Sequence, residues 1–380
     1  MRFVVRKAEF LQGLQQVARA IPTRTPKPIL YGVLLTAQNG RLYITGYDLE
    51  IGIQMYIENP SDTEQNTLQI EQEGSIVLQA KYLIDIARKL PHSLIRFDSQ
   101  QTTVTIQSGS ATFQLNGMDP REYPELPTVH DDRGFMVSSS TLKGLIEHTA
   151  FAVATSEVRP TLTGVLWNYA SGLLTLIGTD SHRLSSQTTE VESQQDYALM
   201  DSIIPGKSLL ELSRILPEAE QLVDIMIENN QLLVTFLNTR FLSRLIEGNF
   251  PDTTRIIPAA FRTSIVFTTS DLRDSVERAA LLARDTDNNI VRFQLRRTNI
   301  EILSHSPEIG KVVESIDPIT FEGEDMMIAC NAKFLLDALR QTPSEQVRVE
   351  FTGSGSPFVL RPVGLDSLLH LILPVRIANI

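Results

Sequence analysis

An eight-residue phrase, K-x-L-[IL]-[DE]-x-x-R, occurs three times along the chain. It reads Lys81-Tyr82-Leu83-Ile84-Asp85-Ile86-Ala87-Arg88, then Lys207-Ser208-Leu209-Leu210-Glu211-Leu212-Ser213-Arg214, then Lys333-Phe334-Leu335-Leu336-Asp337-Ala338-Leu339-Arg340. Both intervals between starts are 126 residues, and three such intervals account for nearly all of the 380 residues. A fixed period of this length decides architecture before any local reading does. It predicts one domain written three times, over residues 1–126, 127–256 and 257–380.

Local patterns recur with the phrase. Each third opens with a short apolar strand and then a helix. These are Phe3-Val4-Val5 before Leu11, Leu14 and Ala18; Phe135-Met136-Val137 before Leu142, Leu145 and Thr149; and Ile265-Val266-Phe267 before Leu272, Val276 and Ala279. Ser140 or Thr141, and Ser270, are expected to cap the second and third of these helices. Alternating strands follow at Leu42-Tyr43-Ile44, Leu174-Thr175-Leu176 and Ile300-Glu301-Ile302. The phrase helix comes next, then more strands such as Ile95-Arg96-Phe97 and Val104-Thr105-Ile106. The expected class is α+β, with about two helices and several strands per repeat. Pro-rich segments at Tyr123–Pro127, with the polar run His130–Gly134 after it, and at Phe250–Pro258 read as ordered linkers. Asn59–Asn66 reads as an exposed loop.

The apolar fraction of 42% supports real cores, and 21% charged residues argues against wholesale disorder. The single cysteine, Cys330, excludes an intramolecular disulfide or a cysteine-based zinc site and is expected to be buried filler. No secretory signal pattern and no window of 18 uncharged apolar residues is present, so a soluble cytoplasmic protein without membrane contact is expected.

The net charge of −11 argues against nucleic acid, because duplex affinity comes mainly from Lys and Arg on phosphates. The phrase says something more local. Its Lys and Arg, seven residues apart, share one helix face with the carboxylate between them. For one helix a solvated face with internal ion pairs suffices. Three copies in one register point further, to a basic lining around an axis beneath an acidic exterior, carried by Lys81, Arg88, Lys207, Arg214, Lys333 and Arg340. Six helices packed at about 9 Å would enclose a centre line only about 17 Å across, too small for a duplex. Twelve, from two chains, give a centre line of about 34 Å and a lumen of about 24 Å. A ring on DNA therefore implies a dimer closed head to tail.

Specific stretches carry a resemblance. They are Met1-Arg2-Phe3 with Leu14-Gln15-Gln16-Val17; Pro28-Ile29-Leu30 followed by Gly46-Tyr47-Asp48-Leu49-Glu50; Thr179-Asp180-Ser181-His182-Arg183-Leu184; Gly248-Asn249-Phe250-Pro251-Asp252; and Leu373-Pro374-Val375-Arg376. In order and spacing, over essentially the whole chain, they resemble the bacterial DNA polymerase III beta subunits, the sliding clamps. The resemblance implies a homodimeric ring of three-domain subunits, with helices inside and sheets outside. It implies a processivity factor for DNA replication that encircles double-stranded DNA and has no catalytic activity, cofactor or metal of its own. Implied partners are the polymerase III catalytic subunit, the clamp-loader complex, and other polymerases, ligase and mismatch-repair proteins that dock through short peptides.

By motif, the implied peptide pocket comprises Leu162, Thr179, His182, Arg183, Leu184, Pro251, Arg255, Ile256, Leu371, Pro374, Val375 and Arg376. Aliphatic walls with a few polar hooks suit the apolar anchors of a peptide. Ser181 stands where glycine is frequent in the family, and Ile377–Ile380 runs slightly past the usual end. Arg24 matches the family's loop arginine at the hole. After Arg159, Pro160 and Thr161 stand where some relatives carry tyrosines, so no aromatic contact with DNA is expected there.

Catalytic readings fail on geometry or spacing. Asp180-Ser181-His182 are consecutive, whereas triad members approach from separate segments. Gly206-Lys207-Ser208 lacks the earlier glycine of a phosphate loop, since position 201 is Asp201. Gly353-Ser354-Gly355-Ser356-Pro357 reads as a turn between strands. The six histidines show no metal-ligand spacing. An enzyme or a non-DNA adaptor built from a triplicated domain is the competing class. An enzyme should break the repeat with a polar cluster, and an adaptor would not need three basic helices.

Overall fold

The computed structural model of the chain describes residues 1–59, 67–129, 134–191, 199–283 and 289–376. Residues 60–66 of the expected loop, 130–133 of the first linker and the terminal 377–380 lie outside the described residues. The chain forms two compact units. Among the described residues, one comprises 1–140 and Arg214–Leu245; the other comprises 141–191, 199–213 and 246–376.

Strand pairing explains why the middle repeat divides between them. In the first unit, an eight-stranded sheet runs Phe135–Ser138, Leu222–Glu228, Gln231–Phe236, Thr239–Arg244, then Ile51–Ile57, Arg41–Tyr47, Gly32–Gln38 and Gly74–Gln79. Thr239–Arg244 of the middle repeat is therefore bonded to Ile51–Ile57 of the first. A five-stranded sheet, from Leu68–Gln72 to Ala111–Asn116, completes that unit. In the second unit, a nine-stranded sheet joins Arg183–Glu190 of the middle repeat to Leu368–Ile372 of the third. A four-stranded sheet there ends on Gly310–Ile316.

Among the described residues, six α-helices accompany the sheets: α1 (Lys7–Val17), α2 (Ala80–Lys89), α3 (Ser139–Ala150), α4 (Gly206–Ile215), α5 (Thr269–Ala283) and α6 (Ala332–Arg340). The repeated phrase lies on α2, α4 and α6. The caps expected at Ser140 or Thr141 and at Ser270 are instead inside α3 and α5. The reason recurs in all three repeats. Each opening helix continues directly from its strand, and its first N–H goes to a neighbouring backbone: Lys7 N to Ser93 O at 2.7 Å, Ser139 N to Gln221 O at 2.8 Å, Thr269 N to Glu345 O at 2.8 Å. These backbone bonds carry each chain straight from strand into helix, so Ser140 and Ser270 are already helical where an N-cap would be extended.

Helix and sheet approach closely at one repeated point. A Cβ added at Gly46 would strike the Val17 carbonyl, and one at Gly178 would strike the Thr149 carbonyl. Only glycine lets the strand pass the end of α1 or α3 at this distance. The third repeat's core joins α5 and α6 to the strands through Leu272, Val276, Ala279, Leu335 and Leu339, with Phe267 and Val347 beneath. Cys330 is buried in the same cluster, and burial pushes its thiol pKa up to about 12, so it packs as an inert apolar group.

Candidate peptide-binding site and basic helix faces

The second unit carries a turn at Thr179–Arg183 whose shape follows from Asp180. The Asp180 Oδ1 accepts the backbone N–H of His182 at 2.9 Å and of Arg183 at 3.0 Å. Thr179 Oγ1 donates to the Arg183 carbonyl at 2.6 Å. Ser181 sits in the left-handed region, φ 78°. That conformation favours glycine and explains why Ser181 is a costly choice there. The same turn exists in the first unit: Asp48 Oδ1 accepts Glu50 N at 2.9 Å and Ile51 N at 2.6 Å, and Leu49 has φ 80°.

What differs is the residue that leaves the turn. Ile51 is simply buried. Arg183 is also buried, 8% exposed, so its charge needs partners. Its Nε bonds Asp180 Oδ2 at 3.0 Å, its Nη1 bonds Asp337 Oδ2 at 2.6 Å, and its Nη2 donates to the Phe151 carbonyl at 2.8 Å. The guanidinium carbon lies 4.8 Å from the centre of the Phe334 ring and 5.4 Å from that of Phe151, within cation–π range. His182, exposed, stacks on Phe334 with ring centres 6.2 Å apart.

An apolar cluster adjoins this polar knot. Leu184, Val359 and Leu371 are buried together, with Ile177, Ile257, Phe261, Leu369 and Leu373 packed against them. The C-terminal segment is tied down by its backbone: Leu373 N donates to His182 O at 2.9 Å and Val375 N to Ala329 O at 2.8 Å. Leu162 is buried in the turn Pro160–Thr163, and a Cβ on Gly248 would press on Thr161 in that turn, which draws the 248–251 segment to it. Pro251, Arg255 and Ile256 are exposed, and Arg255 pairs with Asp252 at 3.5 Å. Thr179, His182, Arg183, Leu184 and Leu371 thus meet directly, together with the segment that carries Pro374 and Val375. Arg376, exposed, follows.

Phe151, Asp180, Phe334 and Asp337 also build this site, and nothing in the sequence assigns them to it; Phe334 and Asp337 stand there as parts of the helix phrase. The visible signal was the acidic position of that phrase, whose role changes when an arginine from elsewhere reaches it.

On the helix faces, Lys81, Arg88, Lys207, Arg214, Lys333 and Arg340 are all exposed, while Leu83, Leu209 and Leu335 are buried. Arg88 sits 3.6 Å from Asp85, Lys333 Nζ 2.6 Å from Asp337, and Arg340 2.7 Å from Glu277. Arg24 is exposed in a loop pinned by the Tyr31 hydroxyl, which accepts Thr25 N at 3.0 Å. Arg159 Nη1 donates to Ser181 Oγ at 3.2 Å.

Comparison with known proteins accounts for this arrangement. Residues 1–127, 136–252 and 254–376 match the N-terminal, central and C-terminal domains of the DNA polymerase III beta subunit. The chain belongs to the DNA polymerase III beta-subunit family. The beta sliding clamp of Bacillus subtilis is 41% identical over 378 residues, covering 99% of this chain and 100% of that protein. That of Halalkalibacterium halodurans is 42% identical over 379 residues, with the same coverage. The crystal structure of the Bacillus subtilis DNA polymerase sliding clamp superposes with a TM-score of 0.96 at 40% identity, covering 100% of both chains. A Pseudomonas aeruginosa sliding clamp bound to griselimycin matches with a TM-score of 0.90 at 28% identity, over 99% of this chain and 100% of that one. Membership makes the three repeats clamp domains of mixed α/β structure. Among the described residues no helix is long and apolar enough to cross a membrane.

Proposed function

We propose that two copies of this chain close head to tail around duplex DNA and tether the replicative polymerase, as a processivity factor that does no chemistry itself. One observation carries the ring. Two seams obey one pairing rule. Thr239, Phe241 and Ser243 face Met55, Ile53 and Ile51; Leu368, His370 and Ile372 face Gln187, Ser185 and Arg183. The repeat makes Ala111–Asn116 the counterpart of Thr239–Arg244, and Gly310–Ile316 the counterpart of Ile51–Ile57. Each of these remaining strands is a sheet edge within its own unit. An unpaired edge is a template for another chain. The rule aligns Phe113 of one copy with Val312 of the other, and Ala111 with Glu314. Each copy offers one edge of each kind, so two contacts close the dimer.

In this reading the lining is Arg24, Lys81, Arg88, Lys207, Arg214, Lys333 and Arg340. The acidic balance suits sliding, because a topological link needs little phosphate affinity and tight contacts would brake movement. The pocket takes apolar anchors of a clamp-binding peptide on the Leu184–Leu371 cluster, with His182, Arg183, Arg255 and Arg376 as polar hooks and Leu162, Thr179, Pro251, Ile256, Pro374 and Val375 around them. The polymerase, the loader, ligase and mismatch-repair proteins would share it. The repeats at 1–126, 127–256 and 257–380 are the three clamp domains, and the setting is the cytoplasm.

The test is retention on nicked circular DNA after loading and a high-salt wash, before and after linearising the circle. Retention on the circle with loss on cutting is expected. Loss in both cases, with a loader shown competent on another clamp, overturns the ring.

A further inference from the structure

One carboxylate stands between the buried pocket cation and the exposed basic face of α6. Asp337 Oδ2 bonds Arg183 Nη1 at 2.6 Å and Lys333 Nζ also at 2.6 Å, while Oδ1 lies 3.9 Å from Arg340 Nη1. The Asp337 side chain is 19% exposed, against 62% for Lys333, 51% for Arg340 and 8% for Arg183. In the first repeat, the equivalent Asp85 is 59% exposed and lies 3.6 Å from Arg88 of its own helix. The third repeat's carboxylate is thus turned from a surface partner into a shared one. Two cations on one oxygen compete for it, because each weakens the field the other feels.

We propose that Asp337 is a positioning residue that couples the peptide pocket to the duplex, making a clamp on DNA bind partner peptides more tightly than a free one. The inference rests on the pocket and the lining proposed above. When phosphates draw Lys333 and Arg340 away, Asp337 keeps its full charge for Arg183. Arg183 is then held more firmly between the Phe151 and Phe334 rings, and Phe334 is the ring on which His182 stacks. The pocket wall is ordered before the peptide arrives, which lowers the cost of binding. By linkage, a peptide that fixes Arg183 on Asp337 releases Lys333 and strengthens the hold on DNA by the same factor. One shared hydrogen bond corresponds to about five-fold, the low end of usual couplings between sites.

The experiment titrates a fluorescently labelled peptide, carrying the polymerase's clamp-binding segment, against the full-length dimer. The dimer is used free and loaded on a nicked circle with the loader washed away. Wild type, D337N, D337E and K333A are compared, with folding checked by urea unfolding. About five-fold tighter binding on DNA is expected for wild type. K333A should raise the free clamp's affinity towards the loaded value. D337N should bind alike in both states, and D337E should restore part of the difference. Equal affinities in wild type, or a difference that persists in D337N, overturn the coupling while leaving the pocket intact. No peptide binding to the free wild-type dimer overturns the pocket reading and the coupling with it.

Discussion

His370 makes the second seam acid-sensitive. It lies on the strand Leu368–Ile372, opposite Ser185, and is 1% exposed. Ser185 Oγ is 2.9 Å from its Nδ1, the Phe151 ring packs edge-on against it, and His148 lies nearby. Burial, and then the neighbouring His148, lower its pKa from 6.5 to about 3. In the unfolded chain the imidazole takes up a proton as pH falls below about 6.5; in the folded chain it does not until about pH 3. The unfolded state therefore gains protons alone, and stability is complete above pH 6.5 and lost progressively below it. At pH 5 the loss from this one group is about 2 kcal/mol. With a urea slope of about 2 kcal/mol/M, the midpoint moves down by roughly 1 M. The chain's one tryptophan, Trp167, is 0% exposed and lies in the same nine-stranded sheet, so its fluorescence reports on this unit. Urea unfolding at pH 7, 6 and 5 should show H370Q losing about 2 kcal/mol less than wild type over that span. If the two proteins lose stability in parallel, His370 does not titrate as argued.

Two further outcomes can be checked directly. Ser181→Gly should stabilise the second unit by about 1 kcal/mol, because φ 78° strains serine and not glycine, and the Trp167 midpoint in urea measures it. Lys81, Lys207 and Lys333 changed together to Glu should shorten retention on circular DNA while the circular dichroism spectrum stays that of wild type; unchanged retention removes these residues from the lining.

Most of the scaffold was legible because it is written three times. The opening strands, both kinds of helix and the burial of Leu83, Leu209 and Leu335 follow from apolar spacing that the period repeats. The helices start earlier than the serines suggest: Ser140 and Ser270 look like caps, but the bonds that carry the strand into the helix run from Ser139 and Thr269 to Gln221 and Glu345, about 80 residues away in sequence. Pairing between distant strands, which joins the middle repeat to each neighbour, leaves no short-range trace. The pocket positions came from family resemblance. Leu184 and Leu371 alone are indistinguishable from core, and core is also what they are. Phe334 and Asp337 stayed hidden because what makes them special is Arg183, 154 positions before Asp337.

The repeats keep what the fold needs and change what it does not. The Asx turn at Asp48 returns at Asp180, with its hydrogen bonds and its left-handed second residue. The glycine beside the helix end returns as well, Gly46 and Gly178. At the residue leaving the turn, the first repeat buries Ile51 and the second buries Arg183. At the seam next to it, Phe241 faces Ile53 in one unit, and His370 faces Ser185 in the other. Apolar pairs would serve folding better at both places, since buried ions and polar side chains rarely gain net stability over a well-packed hydrophobic pair. The polar substitutions cluster around Phe151, which touches both Arg183 and His370. Beside its apolar pairs the first seam buries only the uncharged hydroxyls of Thr239 and Ser243. The second gives up some stability to keep a cation, two carboxylates and an aromatic wall beside the groove where partner peptides would dock.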